Sequence, residues 1–96
     1  MDYEFKTTFW DDFSVADKFG VGAIEETFDR AFAEWKTDYI YLTELVLVLN
    51  WKMWDWHQAG NVALSYTYHK LWEKANAYGC EHLKDEELSY FIRTLD

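Results

Sequence analysis

Residues 39–58 read YIYLTELVLVLNWKMWDWHQ, and how this stretch folds decides the rest of the chain. Leu42, Leu45, Val46, Leu49, Met53 and Trp56 recur at three- and four-residue steps, the spacing of one helical stripe, while Ile40, Leu47, Trp51 and Trp54 make a second. At about 100° per residue Leu45 and Leu47 point about 160° apart, so a helix here is apolar on both sides. The run from Leu45 to Leu49 also fits a buried strand, but the chain offers it no partner strand. We therefore expect a helix over about 39–58, either central in a bundle or the seam of a dimer. Glu44, Asn50, Lys52 and Asp55 interrupt its apolar character, which excludes a membrane span.

Working outward, Thr37 and Asp38 are N-cap types, and so short a turn makes the preceding helix a hairpin neighbour. That helix is expected from about 22 to 36, with Val21, Ile24, Phe28, Ala31, Phe32 and Trp35 on its apolar side. On the other flank Gly60 and Asn61 suit a helix stop followed by a new cap. The next helix would carry Leu64, Tyr68, Leu71, Ala75 and Tyr78 on one stripe, with Trp72 beside it, and close at Gly79. Thr8-Phe9-Trp10-Asp11 reads as a capping box that opens a first helix, with Phe9, Phe13 and Ala16 on one face and a stop at Gly20. A last helix follows Asp85, which can cap it, and buries Leu88, Phe91, Ile92 and Leu95. In residues 1–7, Tyr3 and Phe5 alternate with polar neighbours like a strand, and the segment equally suits an arm. The expectation is all-α: one domain over residues 1–96, a compact bundle of about five helices around the apolar helix at 39–58.

Composition narrows the class. The 96 residues include six Trp, seven Tyr and seven Phe, half are apolar, and 18 acids face 9 bases for a formal charge of −9. A core is affordable, and disorder is excluded. One cysteine, Cys80, rules out an internal disulfide framework, and with three His it is too little for a structural zinc site. Met1-Asp2-Tyr3-Glu4 has acid where an export signal has Lys or Arg, so a cytoplasmic setting is expected.

No motif points to catalysis. Metallopeptidase-type His spacing, a phosphate-binding Gly loop, a Ser-containing elbow and an EF-hand loop are all missing from the sequence. His69 and Glu73 stand four apart but alternate with Lys70 and Lys74, the pattern of a solvated helix face. Cys80-Glu81-His82 places a thiol, a carboxylate and an imidazole close in sequence, yet a nucleophile needs a base held by tertiary structure. The adjacent acid pairs Asp11-Asp12, Glu25-Glu26 and Glu86-Glu87 fall in first helical turns, where the helix dipole explains them. No catalytic residue, metal ligand or cofactor is assigned.

Charge and aromatics suggest two surfaces. Residues 1–50 carry a net charge of −7 and residues 51–96 carry −2, so direct nucleic-acid binding has the wrong sign. Asp11, Asp12, Asp17, Glu25, Glu26 and Asp29 form an acidic face that can imitate nucleic acid toward a basic protein, or simply solubilise two helices. Six indole rings are many for one small core, and Trp51, Trp54 and Leu47 on the second stripe are the candidates for an exposed partner surface.

The chain also resembles a family of small acidic helical proteins encoded on conjugative and other mobile elements of Gram-positive bacteria. The resemblance lies in Phe9-Trp10 with Asp12-Phe13, Ala16-Asp17 and Phe19-Gly20; in Arg30-Ala31-Phe32 with Glu34-Trp35-Lys36; in Tyr41 to Val46 leading to Leu49-Asn50; and in Leu71-Trp72 with Lys74-Ala75. That family supplies no activity or site to carry over. The resemblance implies a cytoplasmic accessory protein of a mobile element. The expected function is a non-catalytic protein-interaction module that self-associates as a homodimer through aromatic surface. The alternatives are an acidic nucleic-acid mimic that blocks a host defence or regulatory protein, and a small enzyme or metal protein using Cys80, His82 or His69.

Overall fold

The computed structural model describes residues 4–95, so the Tyr3 part of the strand-or-arm expectation lies outside the described residues. Five helices follow in order: α1 (Phe9–Asp17), α2 (Val21–Trp35), α3 (Tyr39–Gln58), α4 (Val62–His82) and α5 (Asp85–Leu95), with no strand among the described residues. α3 packs against all four others, most extensively against α4, within extents of 38 × 25 × 22 Å. All eight residues from Leu42 to Leu49 are buried, so α3 is enclosed on every side for about two turns. The first apolar stripe is used inside the chain there: Leu42, Leu45, Val46 and Leu49, with Val48, join Phe13, Ile24, Phe28, Tyr68 and Phe91 in one core, and of the second stripe Leu47 is buried.

The helix ends follow local chemistry. The Asp38 carboxylate accepts from the Ile40 and Tyr41 N–H groups and caps α3. At the far end Gly60 takes φ 80°, the Gly60 N–H donates to His57 O, and the Asn61 N–H donates to Trp56 O. This paired reversal closes α3, and Asn61 Oδ1 then accepts from the Leu64 N–H to open α4. Gly20, at φ 100°, separates α1 from α2 as expected.

Several local expectations change. Thr8 makes no capping bond; its hydroxyl donates to Asp12 Oδ2 instead, so the Thr8/Asp11 box is not formed. Gly79 does not stop α4, which continues to His82. Its value is space: a Cβ there would meet the Phe91 ring at 2.5 Å, so the missing side chain is the notch that seats α5. Asp85 stands inside α5 as its first residue, with φ 55°, an αL conformation that Asp tolerates better than most residues. Ile92 and Val21, expected on apolar faces, are exposed.

No Trp lies in the fully buried set. Trp54 is exposed and the other five are half-buried, covering the core and touching solvent with their edges. The innermost layer is built from Phe, Leu, Val and Ile together with Tyr68, Thr43 and Glu44.

Candidate interaction surfaces

The last turns of α3 and the first turns of α4 form one end of the bundle. Trp54 is 51% exposed, Val62 78% and Tyr66 61%, and together with Met53, His57, Ser65 and His69 they surround a shallow cavity of about 390 Å³. The His57 ring stands edge-on to Trp54 at 5.5 Å. His69 is held from both sides: Nε2 lies 2.5 Å from Glu73 Oε1 and Nδ1 lies 3.3 Å from Met53 Sδ. Trp54 is also a wall of a second cavity, of about 380 Å³, shared with Trp10, Trp51 and Asp55. There Trp51 meets Phe5 and Trp10 edge-on, at 5.6 and 6.5 Å. Of the three residues expected as partner surface, Trp54 is open, Trp51 is half-buried in an aromatic cluster, and Leu47 is 7% exposed. Leu47 falls within the fully enclosed part of α3, so it contributes to the core and not to a surface.

Beneath this end runs a polar network that the sequence pattern did not signal. Lys52, 6% exposed, donates to Ser14 Oγ at 2.7 Å and to Asp17 Oδ2 at 3.0 Å, with its Nζ 4.4 Å from the centre of the Trp10 ring. The other oxygen of Asp17 accepts from the Tyr68 hydroxyl, tying α1, α3 and α4 together. Burial first, then the hydrogen bond and negative charge of Asp17, push the Tyr68 hydroxyl well above the usual tyrosine range. A buried charge survives only with such partners. Asp17, expected on the acidic face, therefore faces inward. Glu44 is the second buried charge: its carboxylate accepts from the Lys6 and Thr7 N–H groups at 2.9 and 2.8 Å and from the Thr7 hydroxyl. In the sequence both Glu44 and Lys52 read as interruptions of an apolar helix. A lone acid and a lone base among the apolar positions of such a helix are the available sign of internal pairing.

The remaining acids of the expected face, Asp11, Asp12, Glu25, Glu26 and Asp29, are all exposed. Between α1 and α2 lies a groove of about 650 Å³, with Asp12, Glu26 and Glu34 among its lining and Phe19 and Val15 at 77% and 56% exposure beside them.

The thiol and imidazole candidates do not converge. Cys80 and His82 are exposed near the end of α4, and the His82 ring stacks on Tyr78 at 4.0 Å. His69 lies more than ten residues earlier on the same helix, about 16 Å or more along its axis. Among the described residues no three His, Cys, Asp or Glu side chains come together as a metal site, and no helix is long and apolar enough to cross a membrane. Comparison with protein-family models, with curated proteins and with solved structures finds no match for this chain.

Proposed function

We propose that the protein is a non-catalytic protein-interaction module that self-associates through the end of the bundle carrying Trp54. The observation behind this reading is the joint exposure of Trp54, Val62 and Tyr66 around one apolar depression. An indole and a phenol ring beside aliphatic surface are the side chains that dominate protein interfaces. Charge favours a second copy as the occupant. Residues 53–70 hold one acid, Asp55, and one base, Lys70, in a chain of net charge −9. Two copies repel least where they are locally neutral, so this end is the place at which like subunits can meet. The Trp10/Trp51 cavity extends the same surface across Trp54.

Analytical ultracentrifugation over the micromolar to millimolar range tests it. The expected mass at high concentration is twice the 11.6 kDa of the chain, and added salt should strengthen the dimer by screening repulsion. Trp54→Ser combined with Val62→Ser should leave a monomer with an unchanged helical spectrum. A wild-type chain that stays monomeric throughout, or a dimer indifferent to that pair of substitutions, rules the reading out.

A further inference from the structure

A second surface, which shares no lining residue with the two cavities at Trp54, is acidic where that end is neutral. The groove between α1 and α2 follows α2 for most of its length: Ala23, Thr27 and Ala31 lie at four-residue steps on the helix face that lines it, and Glu34 continues that face. From Ala23 to Glu34 is eleven residues, about 16 Å of helix axis or three turns. Small side chains on the α2 side leave room for large ones to enter. On the α1 side Phe19, at the turn into α2, and Val15, one turn earlier, are both open to solvent. Three carboxylates, Asp12, Glu26 and Glu34, lie among the lining residues against one guanidinium, Arg30.

We infer that this groove takes an amphipathic basic helix of about three turns from another protein, its apolar stripe on Phe19 and Val15 and its Lys or Arg side chains against Asp12, Glu26 and Glu34. The length of the groove matches a helix, since a third helix laid between two others is the ordinary way to cover such a channel. Its charge selects the partner. A second copy of this chain would bring nine negative charges to an already acidic surface, and nucleic acid would bring more, whereas a basic helix replaces repulsion with attraction on both sides. Apolar anchors and acidic neighbours have separate tasks: Phe19 and Val15 hold the helix, and the carboxylates set its sign and speed its arrival.

The test uses the full chain and three synthetic peptides of about fourteen residues: a Leu/Lys peptide with leucines at helical spacing, the same composition scrambled, and a Leu/Glu peptide of the first pattern. Titration is followed by calorimetry and by amide shifts. The amphipathic basic peptide should bind with micromolar affinity and move the resonances of Phe19, Ala23, Thr27 and Ala31. Phe19→Ser, which changes no charge at a site already open, should weaken it about tenfold. Glu26→Lys with Glu34→Lys should weaken it similarly and flatten its salt dependence. Trp54→Ser should leave it unchanged, which separates this groove from the self-association above. Equal binding of the scrambled or acidic peptide, or indifference to Phe19→Ser, overturns the inference and reduces the contact to general attraction. Loss of self-association in Phe19→Ser also overturns it, by giving the groove to a second copy.

Discussion

The ring of Phe91 lies against Gly79 so closely that a Cβ on that residue would come within 2.5 Å of Phe91 Cζ. The ring is 1% exposed and belongs to the core, so it has little freedom to retreat. α5 is thus docked on α4 by a missing side chain.

Gly79→Ala sets two effects against each other. Alanine within a helix gains about 1 kcal/mol over glycine, while forcing a methyl group into a packed core loses about 1–3 kcal/mol. The clash should win, with a net loss of about 1 kcal/mol and a fall in Tm of roughly 5 °C by calorimetry. In a Phe91→Leu background the same substitution should become neutral or stabilising, because the narrower side chain vacates the notch.

The Lys52–Asp17 pair should show strong coupling in a double-mutant cycle. Lys52→Met leaves a buried carboxylate with one fewer partner, and Asp17→Asn leaves a buried ammonium facing an amide; each should destabilise by about 3 kcal/mol in urea unfolding. The double variant should lose at least about 1 kcal/mol less than the sum of the two. Simple additivity would mean that the pair contributes nothing as a pair.

Tyr68 makes alkaline stability depend on a single proton. An unfolded tyrosine ionises near pH 10, whereas the folded hydroxyl is held neutral by burial and by Asp17. Its contribution is therefore fully present below about pH 10 and is lost as pH rises beyond it, where the unfolded chain releases a proton that the folded chain keeps. Tyr68→Phe should remove this part of the alkaline slope of urea midpoints. It should also leave the native absorbance change at 295 nm unaltered at pH 11, since Tyr68 does not titrate in the folded protein.

Glu44 fastens the segment before α1 to the central helix. Glu44→Gln replaces one accepting oxygen by an amide group that itself donates, opposite the Lys6 and Thr7 N–H donors. Stability should fall by about 2 kcal/mol, and hydrogen exchange at the Lys6 and Thr7 amides should accelerate more than exchange in α3. Equal acceleration everywhere would show that the staple is not local.

Helix number, order and most boundaries were legible in the residues themselves, because three- and four-residue apolar spacing and the turn chemistry of Asp38, Gly60 and Asn61 act locally. The double-sided apolar pattern of 39–58 left two uses open, a central helix or a dimer seam; residues 42–49 are enclosed within the chain, while Trp54 is exposed. What periodicity could not decide was which enclosed positions are polar. Glu44 and Lys52 pair with groups 35 to 38 residues away, and Asp17 turns from an acidic face to meet Lys52. Gly79 reads as a stop until Phe91 is placed against it, and Phe19 reads as an ordinary helix-end residue until the turn leaves it open beside the α1–α2 groove. Backbone hydrogen bonds and side-chain spacing are settled within a few residues, so the sequence alone determined the helices. Burial of a charge, the fit of a ring and the exposure of a groove depend on contacts between distant segments, and only the tertiary structure decided those.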